Sequence, residues 1–92
     1  MERNYVIGAP IMWIDEHGVP HHALVTQWWT GNQEIREYRS ENGEPGCNLV
    51  LVSSDETKKD QYGRQIEHKT SVVHKTKQSA HGWLWCWPDE VK

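Results

Sequence analysis

The segment Tyr62-Gly63-Arg64-Gln65 carries the residue types in this chain that are best suited to binding an anion. Gly63 allows a sharp backbone turn, and Tyr62 offers a ring for stacking. Arg64 presents a planar donor fork that matches a phosphate or a carboxylate. Hydroxyl, imidazole, ammonium and indole groups further along the chain could form the rest of the binding site. We therefore predict one anion-binding site formed by Tyr62, Arg64, Gln65, Ser71, His74, Lys75, His81 and Trp83.

The same segment has a purely structural interpretation. In that alternative, Arg64 pairs with Asp60 or Glu67 in a surface turn, and Tyr62 packs on the body of the domain. An exposed pair of this kind contributes little to stability. Sequence alone leaves both interpretations open.

Three tryptophans follow one another at every second position near the end of the chain. In a strand, Trp83, Trp85 and Trp87 share one face, while Leu84 and Cys86 share the opposite face. Such a stripe can stack bases, but it more often forms a core or a subunit interface. The chain also contains Trp13, Trp28 and Trp29. Because one small barrel cannot readily hold six indoles, we predict that the chain forms a homo-oligomer.

Metal binding and catalysis lack sequence support. The six histidines and two cysteines include no C-x2-C pair of the kind that is typical of structural zinc. His17 and His21 could share a helix face only if Gly18 and Pro20 were helical. Cys47 and Cys86 lie far apart, so we predict free, buried thiols. The chain has no glycine-rich phosphate loop, no H-E-x-x-H and no nucleophile elbow. We therefore predict a protein that is not an enzyme and has no cofactor and no metal ion.

Length, composition and charge limit the number of domains, the kind of partner and the location of the protein. With 92 residues the chain has room for a single β domain over 1–92. The net charge is −3, but five of the six lysines lie between Lys58 and Lys77, so an anionic partner should meet the second half. The acidic balance weakens the case for nucleic acid. No apolar run of about 20 residues predicts a membrane span, and no apolar signal segment follows the N-terminus, so we expect a cytoplasmic protein.

Frequent glycines and prolines favour short strands over helices. A β-branched run at Ile11–Ile14, a turn at Asp15–Gly18 and a strand over about Val19–Trp29 predict a hairpin. A long polar loop follows at about 30–46, and long loops are commonly functional. Cys47–Val52 is almost continuously apolar and predicts a central strand that is covered on both sides.

The second half completes a five-stranded pattern. Arg64–His74 alternates, which places Ile66, Thr70 and Val72 on one face of a strand. The aromatic strand at 81–87 ends at Pro88. Together these elements predict an all-β domain, either a small, partly open barrel or a strongly twisted sheet.

Several strings in this half support a resemblance. They are Asp60-Gln61-Tyr62-Gly63-Arg64-Gln65-Ile66-Glu67, Thr70-Ser71-Val72 with His74, and Ser79-Ala80-His81-Gly82 before the aromatic strand. The chain resembles a group of small, uncharacterised phage-encoded proteins, and the similarity extends to Trp13–Thr26 and Asn48–Ser54. The resemblance implies a viral origin and a barrel of the Src-homology-3 type, but no activity. The loop at 30–46 is longer than the pattern of that group requires.

Two functions compete at this point. The first is a phage accessory protein that binds and sequesters a small anionic, nucleotide-like ligand in order to counter host defence. The alternative is a protein-interaction module that blocks or recruits a host protein through its tryptophan face or the acidic loop Glu34–Glu44. Nucleic-acid binding is a third candidate function, which the acidic balance of the chain disfavours. We rank ligand capture first because a rim of arginine, histidines and hydroxyls suits a small polar ligand.

Overall fold

Five strands close into a barrel in the computed structural model, which describes residues 5–30, 34, 38, 43–53, 55–77 and 80–91. The barrel order is β1, β2, β3, β6 and β7, and only β6 and β7 pair in parallel. A separate hairpin is formed by β4 and β5, and a 3₁₀ helix follows β7. The elements are β1 (Pro10–Ile14), β2 (Pro20–Trp29), β3 (Gly46–Val52), β4 (Lys59–Asp60), β5 (Gly63–Arg64), β6 (Ile66–His74), β7 (Leu84–Cys86) and the 3₁₀ helix (Pro88–Glu90). The predicted all-β class with five barrel strands is confirmed, and the barrel is closed.

The turn between β1 and β2 forms as the sequence predicts. Gly18 adopts a φ of 81°, a conformation that residues with a side chain rarely take. The Asp15 carboxylate accepts hydrogen bonds from the backbone N–H groups of His17 and Val19, at 2.8 and 2.9 Å. An aspartate that bonds to the backbone two residues onward is a local turn former, so this connection depends on few distant contacts.

The prediction that β3 is covered on both sides is wrong. Cys47, Leu49 and Leu51 are buried in the barrel, whereas Val50 is only partly buried and Val52 is exposed. In a closed barrel one face of each strand points outward, so a continuously apolar strand leaves half of its side chains outside. The outer side of β3 is consequently apolar and accessible.

A β-bulge in β6 overturns a second prediction. Between the pairs Leu49↔Lys69 and Cys47↔Val72, β3 advances two residues and β6 advances three. The extra residue is accommodated at Ser71, whose φ is 57° and whose N–H donates to Asn48 Oδ1 at 3.1 Å. Val72 is therefore buried while Ile66 is exposed, so these two residues do not share a face.

The barrel interior holds four of the six tryptophans. The core cluster consists of Tyr5, Ala9, Ile11, Trp13, Ala23, Val25, Trp28, Cys47, Leu49, Leu51, Val72, Trp85 and Trp87. Trp85 makes edge-to-face contacts with Trp28 and Trp87, each with 5.2 Å between ring centroids. Leu84 and Cys86 are also buried. The interior thus holds more indoles than we expected.

The predicted stripe of three tryptophans is broken at Trp83. Trp83 lies in the turn before β7, where its backbone N–H donates to the backbone oxygen of Ala80 at 3.2 Å, and its side chain is half exposed. The strand itself has only three residues, which is too short to hold all three indoles on one face. Most of the loop predicted at 30–46, including most of the acidic segment Glu34–Glu44, lies outside the described residues. No helix in the described part of the chain could cross a bilayer.

Candidate functional site

The predicted anion-binding residues fall in different parts of the molecule. Tyr62 and Arg64 belong to the β4–β5 hairpin, where the Tyr62 side chain is 89% exposed. Arg64 Nη2 lies 3.8 Å from Glu56 Oε1. The structural alternative expected Asp60 or Glu67 as the partner of Arg64, but Glu67 instead accepts a hydrogen bond from Ser53 and pairs with Lys69 at 3.3 Å. Tyr62 does not pack on the barrel.

The other six predicted residues lie before, within and after β6. Gln65 follows the hairpin directly, whereas His74 is at the opposite end of β6, about 25 Å further along the strand. Lys75 Nζ donates to the backbone oxygen of Glu90 at 2.7 Å. The remaining members are Ser71 in the bulge and His81 and Trp83 in the turn before β7. The structure therefore does not gather the eight residues into one pocket.

One cleft of about 300 Å³ opens at the barrel end near the β1–β2 turn. It is lined by Trp13, Asp15, Glu16, His17, Leu51, Asp55, Lys58, Glu67 and Lys69. Lys69 Nζ lies 4.8 Å from the centroid of a Trp13 ring. Four carboxylates against two lysines make this cleft a poor binding site for an anion.

Two carboxylates of the cleft are held in their charged form by local hydrogen bonds. His21 Nε2 lies 2.7 Å from Asp15 Oδ2, and this bond, aided by the backbone N–H groups of the turn, lowers the pKa of Asp15 to about 2 although burial opposes the shift. The hydrogen bond from Ser53 Oγ is the main cause of the lowered pKa of Glu67. These groups are engaged in structural contacts.

A polar cluster surrounds the buried His74 at the C-terminal end of β6. Its Nε2 is 2.8 Å from Glu90 Oε1 and 3.8 Å from Glu44 Oε2. Its Nδ1 is 2.9 Å from Thr76 Oγ1. Sequence reasoning missed this cluster because residues 44, 74 and 90 are far apart along the chain, and no short spacing indicates them.

Neither cysteine is suited to nucleophilic chemistry. Both Cys47 and Cys86 are free and buried, as predicted. Burial raises the pKa of the Cys47 thiol to about 12, and it also raises the pKa of Cys86. Because the thiolate is the reactive form, both side chains behave as small apolar groups.

The outer side of β2, β3 and β6 carries several exposed apolar side chains. Strand pairing aligns Pro10 with Leu24, Leu24 with Val50, and Val50 with His68 in one row. A second row begins with Val52 opposite Ile66. We call this surface the outer face, defined by Pro10, His22, Leu24, Val50, Val52, Ile66 and His68. All of these residues except His68 line a shallow depression of about 400 Å³.

A signal for the outer face was present in the sequence. The uninterrupted run Leu49–Val52 lacks the polar residues that normally alternate along a barrel strand. In a closed barrel, such a run must expose every second apolar side chain. Sequence reasoning assigned that second face to a buried layer instead.

Comparisons with known proteins found no protein-family model, no curated protein and no solved structure that matches this chain. The resemblance to small phage proteins and the Src-homology-3 relationship therefore stay predictions.

Proposed function

We propose that this chain is a non-catalytic protein-interaction module that binds an apolar segment of a partner protein on its outer face. The observation that carries the proposal is the composition of that face. A quarter of all residues in the chain are charged, yet the seven residues of the outer face include no lysine, arginine, aspartate or glutamate. Depletion of charge is characteristic of the centre of protein–protein interfaces.

The exposed apolar area supplies the driving force. Leu24, Val52 and Ile66 are 50%, 62% and 63% exposed, and they are neighbours on adjacent strands. Removing apolar area from water contributes about 25 cal/mol per Å². A contiguous apolar patch on a soluble domain commonly marks a contact site, whereas single exposed apolar residues do not.

The shape of the face indicates the chemistry of the partner. The depression is lined almost entirely by apolar side chains, with His22 at its margin, and it has the concave form that receives a row of side chains. His22 and His68 can each offer a hydrogen bond at the rim. A partner segment with apolar side chains along one side and uncharged polar groups beside them fits this surface.

Capture of a small anionic ligand stays a prediction with less support from the geometry. Its residues are spread over the hairpin, the bulge and the turn before β7, and the described cleft near Asp15 carries more acidic than basic groups. A role in phage counter-defence depends on the resemblance and also stays a prediction. Nucleic-acid binding gains nothing from a face without lysine or arginine.

Substitution of Ile66 provides a direct test, with Ile7 as a matched control. Both isoleucines are more than half exposed, but Ile7 lies in a turn outside the outer face. Cross-linking and mass spectrometry in the cells that make the protein would identify the partner, and calorimetry with the purified partner would measure affinity. We expect Ile66→Lys and Val52→Lys to weaken binding by at least about tenfold, and Ile7→Lys to leave it unchanged.

Two outcomes would contradict the proposal. One is an identified protein partner that binds Ile66→Lys and Val52→Lys as tightly as it binds the unaltered chain. The other is a small molecule, released on denaturation, as the bound species in place of a protein, which would favour ligand capture.

A further inference from the structure

We propose that Glu44, His74 and Glu90 form a binding site for one Zn²⁺ ion beside the C-terminal end of β6. The site is separate from the outer face and does not depend on the function proposed for that face. Its residues come from three parts of the chain: the segment before β3, the end of β6 and the 3₁₀ helix.

The three candidate ligand atoms already lie close together. The ligand atoms that Glu44, His74 and Glu90 offer all lie within 4.8 Å of one another. His74 Nε2 is 2.8 Å from Glu90 Oε1 and 3.8 Å from Glu44 Oε2. Zinc binds nitrogen and oxygen at about 2.0–2.2 Å, so two ligands of a tetrahedral ion are roughly 3.4 Å apart. The observed distances bracket this value, and small side-chain movements would admit the ion.

Hydrogen bonds from outside the set orient both carboxylates. The Tyr5 hydroxyl and the Trp87 indole N–H donate to the two oxygens of Glu44. The backbone N–H of Trp87 donates to Glu90 Oε1 at 2.8 Å. Each carboxylate oxygen has a second lone pair, so these hydrogen bonds persist when the ion binds. Such outer partners are typical of metal ligands and determine their orientation.

The imidazole has a matching partner on its other nitrogen. His74 Nδ1 lies 2.9 Å from Thr76 Oγ1, to which it can donate when Nε2 binds a metal. His74 is almost completely buried, which keeps the imidazole in one orientation. One imidazole and two carboxylates suit zinc better than calcium or magnesium, because those ions prefer oxygen ligands alone.

A proton is the competitor of the ion. The backbone N–H of Thr76 lies 3.3 Å from His74 Nδ1 and donates to it in the tautomer that carries a proton on Nε2. In that state the Nε2 proton bridges to Glu90. Zinc takes the place of this proton on Nε2, and the proton then resides on Nδ1, where it can be donated to Thr76 Oγ1, so the imidazole stays neutral. The bound ion should connect three distant segments and thereby stabilise the fold.

Zinc titration of chelator-treated protein tests the proposal, with His21 as the matched control. His21 also pairs with a carboxylate, at 2.7 Å from Asp15, but it has no second carboxylate in the described surroundings. We expect one Zn²⁺ per chain by calorimetry and a melting temperature that rises by about 5 °C or more with zinc. His21→Gln should retain both effects. Glu44→Gln and His74→Gln should weaken zinc binding by at least about 100-fold.

Glu44→Gln keeps the size of the side chain, so the site can still be tested with this variant if His74→Gln fails to fold. The absence of stoichiometric zinc binding at micromolar concentration in the unaltered protein would overturn the proposal. Zinc binding that survives in Glu44→Gln with an unchanged melting-temperature shift would also overturn it, because the ion would then bind another histidine.

Discussion

Asp15 both stabilises the β1–β2 turn and contributes a carboxylate to the charged cleft beside it. Its carboxylate accepts from two backbone N–H groups and from His21, and its pKa is lowered to about 2. A carboxyl group whose pKa is lower in the folded state stabilises that state when it is ionised. The stabilisation is complete above about pH 5 and is lost progressively as the pH falls through about 2.

Asp15→Asn tests this residue because the amide oxygen can still accept the turn hydrogen bonds. We expect the free energy of unfolding at pH 7 to fall by about 1 kcal/mol, a value discounted for solvent screening, and the melting temperature to fall by roughly 4–8 °C. Urea unfolding between pH 6 and pH 2.5 should show the difference shrinking below about pH 5. Glu16→Gln, at the exposed neighbouring residue, serves as the control. A difference that is constant with pH would contradict the prediction.

At the scale of elements, the bulge in β6 determines which side chains face the core. Ser71 is the one described non-glycine residue with a positive φ, and this conformation costs an L-residue about 1–2 kcal/mol. The hydrogen bond from Ser71 N–H to Asn48 Oδ1 holds the bulge against β3. The bulge thereby turns Val72 and His74 inward.

Ser71→Gly should therefore be neutral or stabilise the fold by up to about 1 kcal/mol, since glycine adopts this conformation without strain. Ser71→Val should destabilise it by about 1–2 kcal/mol. Thr70→Gly is the control: at a neighbouring strand position without a positive φ, glycine should cost about 0.5–1 kcal/mol. These values can be measured by urea unfolding. A larger loss for Ser71→Gly than for Thr70→Gly would show that the bulge does not carry this strain.

On the scale of the whole molecule, large apolar side chains are exposed both on the outer face and outside it. Trp29 and Trp83 are half exposed, in addition to the outer face. We therefore retain the prediction that the chain associates with itself, because exposed aromatic and aliphatic groups are buried by association. Light scattering across the micromolar range should show species larger than one chain. A strict monomer at every concentration would contradict the prediction.

Much of the fold was predictable from the sequence because its signals are local. The turn at Asp15–Gly18 depends on a carboxylate and a glycine within four residues, and glycines and prolines delimit the strands. These features act over a few residues, so they are visible in a linear pattern. The five barrel strands and the burial of both cysteines could be predicted for this reason.

The placement of side chains was decided only by the tertiary structure. Strand pairing introduces the bulge at Ser71, and one extra residue reverses the facing of every side chain after it. Barrel closure brings Glu44, His74 and Glu90 together and separates Tyr62 and Arg64 from His74. Proximity between residues tens of positions apart arises from pairing and closure of the sheet, and spacing along the chain does not encode it.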